Sequence, residues 1–455
     1  MARAGASHLR TVLALLLGAS VAAPVPLQAQ HGAAARTDPA VVALVSAVSP
    51  ARLRSDDEHL VGFGTRNLFS EGLNDPKRGV YAARDWIASQ FRAIAETSGG
   101  RLSVAFDTFV QPVVPNRTPR AVEVSSVYAT LRGDDPARGT YVMSSHYDSR
   151  NSEGNDATRD APGADDNGSA VSAVLEAARI MAPKHFAGTI VFACFDGEEQ
   201  GLFGSAHFAA KLKADGVRVD ADLNNDIIGA SVGHDGVAAP YDVRVFSEAL
   251  PAGVDVRAID VQGGENDSPA RELARFAREI GQAYVPSMHA ELIYRSDRFL
   301  RGGDQQSFAA QGFPAIRYVE AHENFDHQHQ TVRVEDGIQY GDLLQYLDFD
   351  YLARVTQLNI AALATLALAP AAPVVTMSVK KLGYDTTLSW DAVPTAVRYE
   401  VVSRRTDEPF WTDVKDAGAV TTVTIPLSKD DWLFGVRAVD AAGNVSVAAF
   451  PTPAR

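Results

Sequence analysis

Two rhythms of apolar and polar positions divide this chain. From Val41 to about Leu368, apolar runs of strand length alternate with stretches whose apolar residues recur roughly every three to four positions. Residues 121–131, 140–145, 189–195 and 315–319 read as strands, with another near Val243; residues 169–181, 202–212, 269–283 and 340–368 read as helices. Strands alternating with helices predict an α/β fold, a mixed and largely parallel sheet sandwiched by helices. In such sheets the functional groups gather on loops at the carboxyl ends of strands. The run Ala369-Pro370-Ala371-Ala372-Pro373 has no helical continuation. Beyond it only short alternating segments appear, at 388–390, 398–402, 421–425 and 432–439. They predict an all-β sandwich over residues 373–455, with Trp390 and Tyr399 as core anchors.

Composition narrows the class. An apolar share of 46% with 22% charged residues is that of a globular chain and excludes a disordered one. A formal net charge of -14 speaks against nucleic acid as a partner, because phosphate binding needs a basic surface. It suits an acidic surface that keeps an exported protein in solution. The first residues have a pattern of their own: Arg3 and Arg10, then an apolar run over 11–23, then small residues to near Ala29. This predicts a signal peptide over residues 1–29 and a periplasmic or extracellular destination. The run is too short to span a bilayer, and no other stretch offers about twenty uninterrupted apolar residues, so no membrane-spanning segment is expected. Residues 31–40 follow as a polar, Ala-rich linker. Cys194 is the only cysteine, so no disulfide can form within the chain; inside the apolar run 189–195 it reads as a packed small hydrophobe.

Candidate chemistry lies where the strands end. His146-Tyr147-Asp148 follows the strand 140–145; a neutral imidazole there can ligate zinc, and a carboxylate two residues on can hold its other ring nitrogen. Gly163-Ala164-Asp165-Asp166-Asn167-Gly168 opens a helix, where one residue suffices as a cap and a second aspartate is free to bridge two metal ions. In Asp196-Gly197-Glu198-Glu199, three carboxylates repel one another unless positive charge lies between them. One Glu can ligate while its neighbour stays free as a general base. Asp226 ends another apolar segment, and Asp326-His327-Gln328-His329 follows the strand 315–319.

The order of these clusters resembles the zinc peptidases of the bacterial leucyl aminopeptidase type, a family that also holds glutamate carboxypeptidase, glutaminyl cyclase and the transferrin receptor ectodomain. The resemblance covers residues 40–368 and rests on His146-Tyr147-Asp148, Gly163-Ala164-Asp165-Asp166-Asn167 and Gly197-Glu198-Glu199-Gln200-Gly201. Gly303-Asp304 with Phe308, and Gly312-Phe313-Pro314-Ala315, add to it. It implies a zinc exopeptidase (phosphorylase/hydrolase-like) fold and two zinc ions: one held by His146, Asp165 and Asp226, with Asp165 bridging to a second held by Glu199 and a late histidine. Glu198 is then the general base and Asp148 orients His146. The family's last ligand aligns with Asp326; a one-residue shift makes it His327, with His329 and Asp326 as alternatives. Gln305 stands where the family often has His. The implied activity is hydrolysis of peptides or proteins, as an aminopeptidase, with carboxypeptidase, glutaminyl cyclase and a non-catalytic receptor or adhesion protein as rivals. On this scaffold the substrate pocket is built from loops such as 265–268 and 295–304. The segments Leu388-Ser389-Trp390, Tyr399-Glu400-Val401 and 434–446 resemble a fibronectin type III domain, whose partner the sequence leaves open.

Overall fold

Along the paired strands β3 (Thr140–His146) and β4 (Thr189–Phe195), successive side chains enter different cores. Val142, Val191, Ala193 and Phe195 pack on one face, while Tyr141, Met143, Ile190, Phe192 and Cys194 pack on the other. That alternation is the pleat of a strand buried on both sides, and it explains why both strands read as unbroken apolar runs. The computed structural model describes Met1 and residues 37–248, 250, 253–260 and 262–455. The predicted signal peptide lies outside the described residues apart from Met1.

Four further strands surround this pair on the interior: β2 (Val122–Leu131), β5 (Val219–Asn225), β6 (Asp242–Ser247) and β8 (Ala315–Glu320). With β1 (Leu102–Gln111) and β7 (His289–Ile293) they make an eight-stranded sheet of order β1-β2-β4-β3-β5-β8-β6-β7. Its centre, β4-β3-β5-β8, is parallel, and the pairs β1/β2, β2/β4 and β6/β8 are antiparallel. The larger core lies under helices that include 80–95, 170–181, 269–284 and 349–368; the smaller lies under helices 203–214 and 305–310. This is the α/β, mixed and helix-sandwiched sheet that the sequence predicts. The four parallel strands run in one direction, so their carboxyl ends open on a single edge.

The strand β1 escapes the sequence reading because Ser103, Asp107, Thr108 and Gln111 interrupt its apolar pattern, as an edge strand allows. The long helix starts at Phe349 instead of residue 340. Asp348 caps it, accepting from the N–H groups of Asp350 and Tyr351, while Gly341 and Asp342 turn back toward the sheet. It is the one helix among the described residues long and apolar enough to cross a membrane, and 83% of its apolar window is buried in the fold.

After Pro373 two sheets face each other across a core that includes Leu388, Trp390, Tyr399, Val401, Phe434 and Val436. One sheet has four strands and the other three. Trp390 and Tyr399 meet inside with ring centroids 5.4 Å apart.

One buried cation ties the strand ends to the helices around them. Arg66, wholly inaccessible to solvent, donates to the carbonyl oxygens of Tyr147 (2.6 Å), Leu60 (3.2 Å), Pro162 (2.5 Å) and Gly163 (2.8 Å). Replacing it by Met strands those carbonyls and leaves the buried Asp57 facing no cation. Arg66→Met is expected to lower unfolding free energy by about 3–5 kcal/mol. Urea titration at constant m-value reads this directly, and an unshifted midpoint refutes it.

Candidate metal centre

The carboxyl ends of β3, β4, β5 and β8 bring together the acids and imidazoles singled out above. His146 is the last residue of β3 and is 1% exposed. Its Nδ1 lies 3.1 Å from the carbonyl oxygen of Asp148, which can only accept, so Nδ1 carries the proton and Nε2 is turned inward. The Asp148 carboxylate stands farther off, at 3.5 Å from Nδ1. It accepts instead from the N–H groups of Glu198 (3.1 Å) and Glu199 (3.2 Å). Asp148 therefore fixes the imidazole through its main chain and the Glu-Glu turn through its side chain. The third acid of that motif, Asp196, faces away toward β2 and accepts from Ser125 N–H at 2.9 Å. Burial, with the nearby Asp148 charge, pushes its carboxyl up to about 8.

Two donor groups meet in the centre: His146, Asp166 and Asp226, and Asp166, Glu199 and His329. One oxygen of Asp166 lies 3.2 Å from His146 Nε2, and its other oxygen lies 2.9 Å from His329 Nε2. Asp226 Oδ1 is 3.4 Å from His146 Nε2, and Glu199 Oε2 is 3.0 Å from His329 Nε2.

The shared carboxylate is that of Asp166, which corrects the expectation for Asp165. The reason is local. Asp342 accepts the N–H groups of both aspartates, at 2.8 and 2.7 Å, and fixes the turn. Gly163 adopts φ +56°, where an added Cβ would lie 2.5 Å from Asp166 O and 2.8 Å from Arg66 Nη2. From this turn the Asp165 carboxylate points backward and accepts from Gly229 N–H at 2.8 Å. Asn167 spans the same gap, donating to Asn225 O at 3.0 Å and accepting from Ile227 N–H at 3.3 Å. Asp165 and Asn167 thus stitch the turn to the end of β5 and carry Asp226 up to Asp166.

The late histidine in the cluster is His329, and His327 and Asp326 stand outside it. His327 stacks on Tyr346 with centroids 3.6 Å apart, and Asp326 lies 3.4 Å from His234 Nδ1. Alignment by spacing fails because the segment after β8 coils before reaching the centre, and His329 itself takes a left-handed backbone at φ +54°. Ile227, beside Asp226, and Leu202, beside the Glu-Glu turn, are left-handed too. Such non-glycine residues cost about 1–3 kcal/mol each and collect at functional sites. Two residues escape sequence reading altogether. Asp342 sits inside a run taken for helix, where Gly341 beside it is the available signal for a break. Arg317, in the middle of β8, reads as a strand residue but donates to Asp226 Oδ2 at 2.6 Å and to Asp297 Oδ2 at 2.6 Å.

These acids are short of positive charge. Burial resists a charge on His329, yet Glu199 and Asp166 outweigh it and push its imidazole up to about 10. His146 is likewise held well above the usual imidazole range by Asp226 and Glu198, against its burial. Burial opposes a charge on Asp166, yet the imidazoles of His146 and His329 beside it hold its carboxyl well below the usual carboxylate range. Among buried side-chain atoms left without a hydrogen-bond partner are His146 Nε2 and Glu199 Oε1. Inward nitrogen and carboxylate donors, too close together to be left without a cation, suit a divalent metal of the zinc type.

The sequence profile of peptidase family M28 matches residues 126–348. A probable zinc metalloprotease of Leptosphaeria maculans is 46% identical over 420 residues, spanning 91% of this chain and 97% of that relative. The chain belongs to peptidase family M28. It is a zinc-dependent metallopeptidase. The match to that relative is too long for residues 40–368 and runs into the C-terminal sandwich. Solved structures share the fold over roughly three quarters of the chain. An aminopeptidase from Aneurinibacillus sp. superposes with a TM-score of 0.51 at 14% identity, over 72% of this chain and 96% of that one. A glutaminyl cyclase from Macrostomum lignano gives 0.51 at 16% identity, over 73% and 94%.

In this M28 peptidase, a metal held by these donor groups would compete with protons for the imidazole nitrogens. With its imidazole pushed up to about 10, His329 carries a proton at neutral pH, which zinc bound there would have to displace. Apparent zinc affinity is therefore expected to rise with pH, by about tenfold per unit for each proton released. Competition against a chromophoric chelator from about pH 6 to pH 9 measures the slope, and a flat profile refutes the protonated centre.

Proposed function

We propose that the chain is an exported, two-zinc aminopeptidase that hydrolyses peptides and releases their N-terminal residues. The observation that carries this reading is the Asp166 carboxylate, whose two oxygens serve two separate donor groups. His146, Asp166 and Asp226 form one ligand set; Asp166, Glu199 and His329 form the other. Each set offers three protein donors, which leaves room for water and substrate as catalytic zinc requires. The aminopeptidase of like fold supports the choice of N-terminal hydrolysis, and the paired sets favour it over single-zinc glutaminyl cyclisation. Export rests on Arg3, Arg10 and the apolar run that follows them. The short strands after Pro373 support a fibronectin type III-like reading of the sandwich.

Zinc bound there supplies a polarised substrate carbonyl and a water acidic enough to ionise near neutral pH. Glu198 belongs to neither ligand set but lies within the field of His146 and Asp226. Burial holds its carboxyl well above the usual range, a base matched to taking a proton from water. Glu198 accepts that proton as the water oxygen bonds to the peptide carbon. It then donates the proton to the departing amine nitrogen as the C–N bond breaks. Asp148 keeps Glu198 and Glu199 in register by holding both of their N–H groups.

Leucine p-nitroanilide and peptides blocked at one end or the other separate the alternatives. Hydrolysis is expected with a free N-terminus, to be lost to chelator and restored by zinc, at a metal-to-protein ratio near two. Glu198→Gln is expected to lower kcat by about 10³-fold or more while that ratio is kept. Cleavage only of peptides with a free C-terminus, or a ratio of one in a fully active protein, overturns this reading.

A further inference from the structure

The segment over residues 294–304 borders both donor groups. On one side Asp297 accepts from Arg317, whose other nitrogen holds Asp226. On the other side Arg301 donates to the side chain of Gln328 at 3.2 Å, next to His329. Gln305 keeps the segment folded on itself, donating to Ser296 O at 3.1 Å and to Asp297 Oδ2 at 2.8 Å. Its remaining end, at Tyr294, has no anchor within the central sheet beyond β7. Its main chain is held by Arg271 of the helix 269–284, and its side-chain hydroxyl is held by the sandwich.

The Tyr294 hydroxyl donates to the carbonyl oxygen of Pro409 at 3.1 Å, and Arg275 Nε donates to the same oxygen at 2.8 Å. Arg271 reaches back to Tyr294 O at 3.0 Å, and its guanidinium lies 4.8 Å from the Tyr294 ring centroid. Trp411, two residues beyond Pro409, donates from Nε1 to Glu272 at 2.9 Å. Farther along the interface Arg437 grips both oxygens of Glu279, at 2.7 and 2.6 Å, and Arg404 meets Asp267. Glu272, Arg275, Arg404 and Arg437 are each 3% exposed or less. Buried charges paired across the boundary, Arg404 with Asp267 and Arg437 with Glu279, oppose the free relative motion expected of tethered domains, because separation would break those pairs.

We propose that the C-terminal sandwich is a positioning element of the peptidase: the Pro409 carbonyl holds Tyr294 and thereby sets the 294–304 segment against the metal centre. The consequence for hydrolysis rests on the reading of Asp226 and His329 as zinc ligands; the hold on the segment does not. The pair of loops at 265–268 and 295–304 is braced together, since Arg271 and Arg275 also donate to the main chain of Glu265 and Asn266. Substrate side chains are then sorted by walls that the sandwich keeps in place.

The test is hydrogen–deuterium exchange on the full, zinc-loaded chain, comparing the native protein with Tyr294→Phe and with Tyr294→Phe combined with Arg275→Lys. In the double variant, amides of 295–304 are expected to exchange at least about tenfold faster, while β3 and β4 keep their native rates. KM for a peptide substrate is expected to rise about fivefold, with kcat within about twofold of native. Unchanged exchange over 295–304 in a variant whose 406–411 amides have been freed overturns the proposal. So does faster exchange with KM unmoved. If the double variant does not fold, Tyr294→Phe alone is read by the same criteria. Exchange needs no substrate, so a failure of the hydrolytic reading still leaves that arm to decide this one.

Discussion

Negative charge held away from water has to be met by something positive, and the strand ends of this sheet gather more of it than their arginines can meet. Asp148, Asp166, Glu198, Glu199 and Asp226 converge within a few side-chain lengths, and Asp57, Asp165 and Asp342 stand behind them. The fold answers in layers. Arg317 takes one oxygen of Asp226. Backbone N–H groups take both oxygens of Asp148 and both of Asp342. Arg66 stands near Asp57, Asp148, Asp166 and Asp342 and raises no competing ligand. What is left over is shared by two imidazoles pressed into holding protons. The residual negative charge suits a divalent cation of the zinc type, which would take the place of those protons.

The strand ends were legible because the physics that buries a parallel sheet also writes it into the sequence. Long apolar runs marked β3, β4 and β8, and a polar cluster at the end of each had no structural need to be there. His146, Glu198, Glu199 and Asp226 were within reach of that reasoning. Choosing between Asp165 and Asp166, or between His327 and His329, was not. In each case the decision depends on which side chain a tight turn sends backward, and that is fixed by partners far away in sequence: Gly229 for Asp165, Tyr346 for His327. Spacing carries no record of those partners. Arg317 and Asp342 were hidden for the same reason, since each looks ordinary in its own segment and acquires its role only through a contact with a segment far away in sequence.

The division of the chain at Pro373 shows a different limit of local pattern. The change from helical to alternating periodicity announces β-sheets after Pro373, yet it says nothing of how firmly they are joined to the rest. The join is made by Arg404 with Asp267, Arg437 with Glu279, Trp411 with Glu272 and Arg275 with the Pro409 carbonyl, ordinary residues in the sequence whose partners lie more than a hundred positions away. The relative from Leptosphaeria maculans matches across both parts, which agrees with a unit inherited whole.

Cys194 sits in β4, one strand away from His146, with no exposed surface. Its only close polar neighbour is the Ser145 hydroxyl at 3.7 Å, and burial pushes its thiol up to about 12. A thiol so enclosed and so reluctant to ionise neither exchanges with disulfides nor competes for zinc. Cohesion throughout the described residues therefore comes from burial, hydrogen bonding and ion pairing, without a disulfide. Folding of the described residues needs no oxidising step, and the buried Cys194 gives an oxidant nothing to reach.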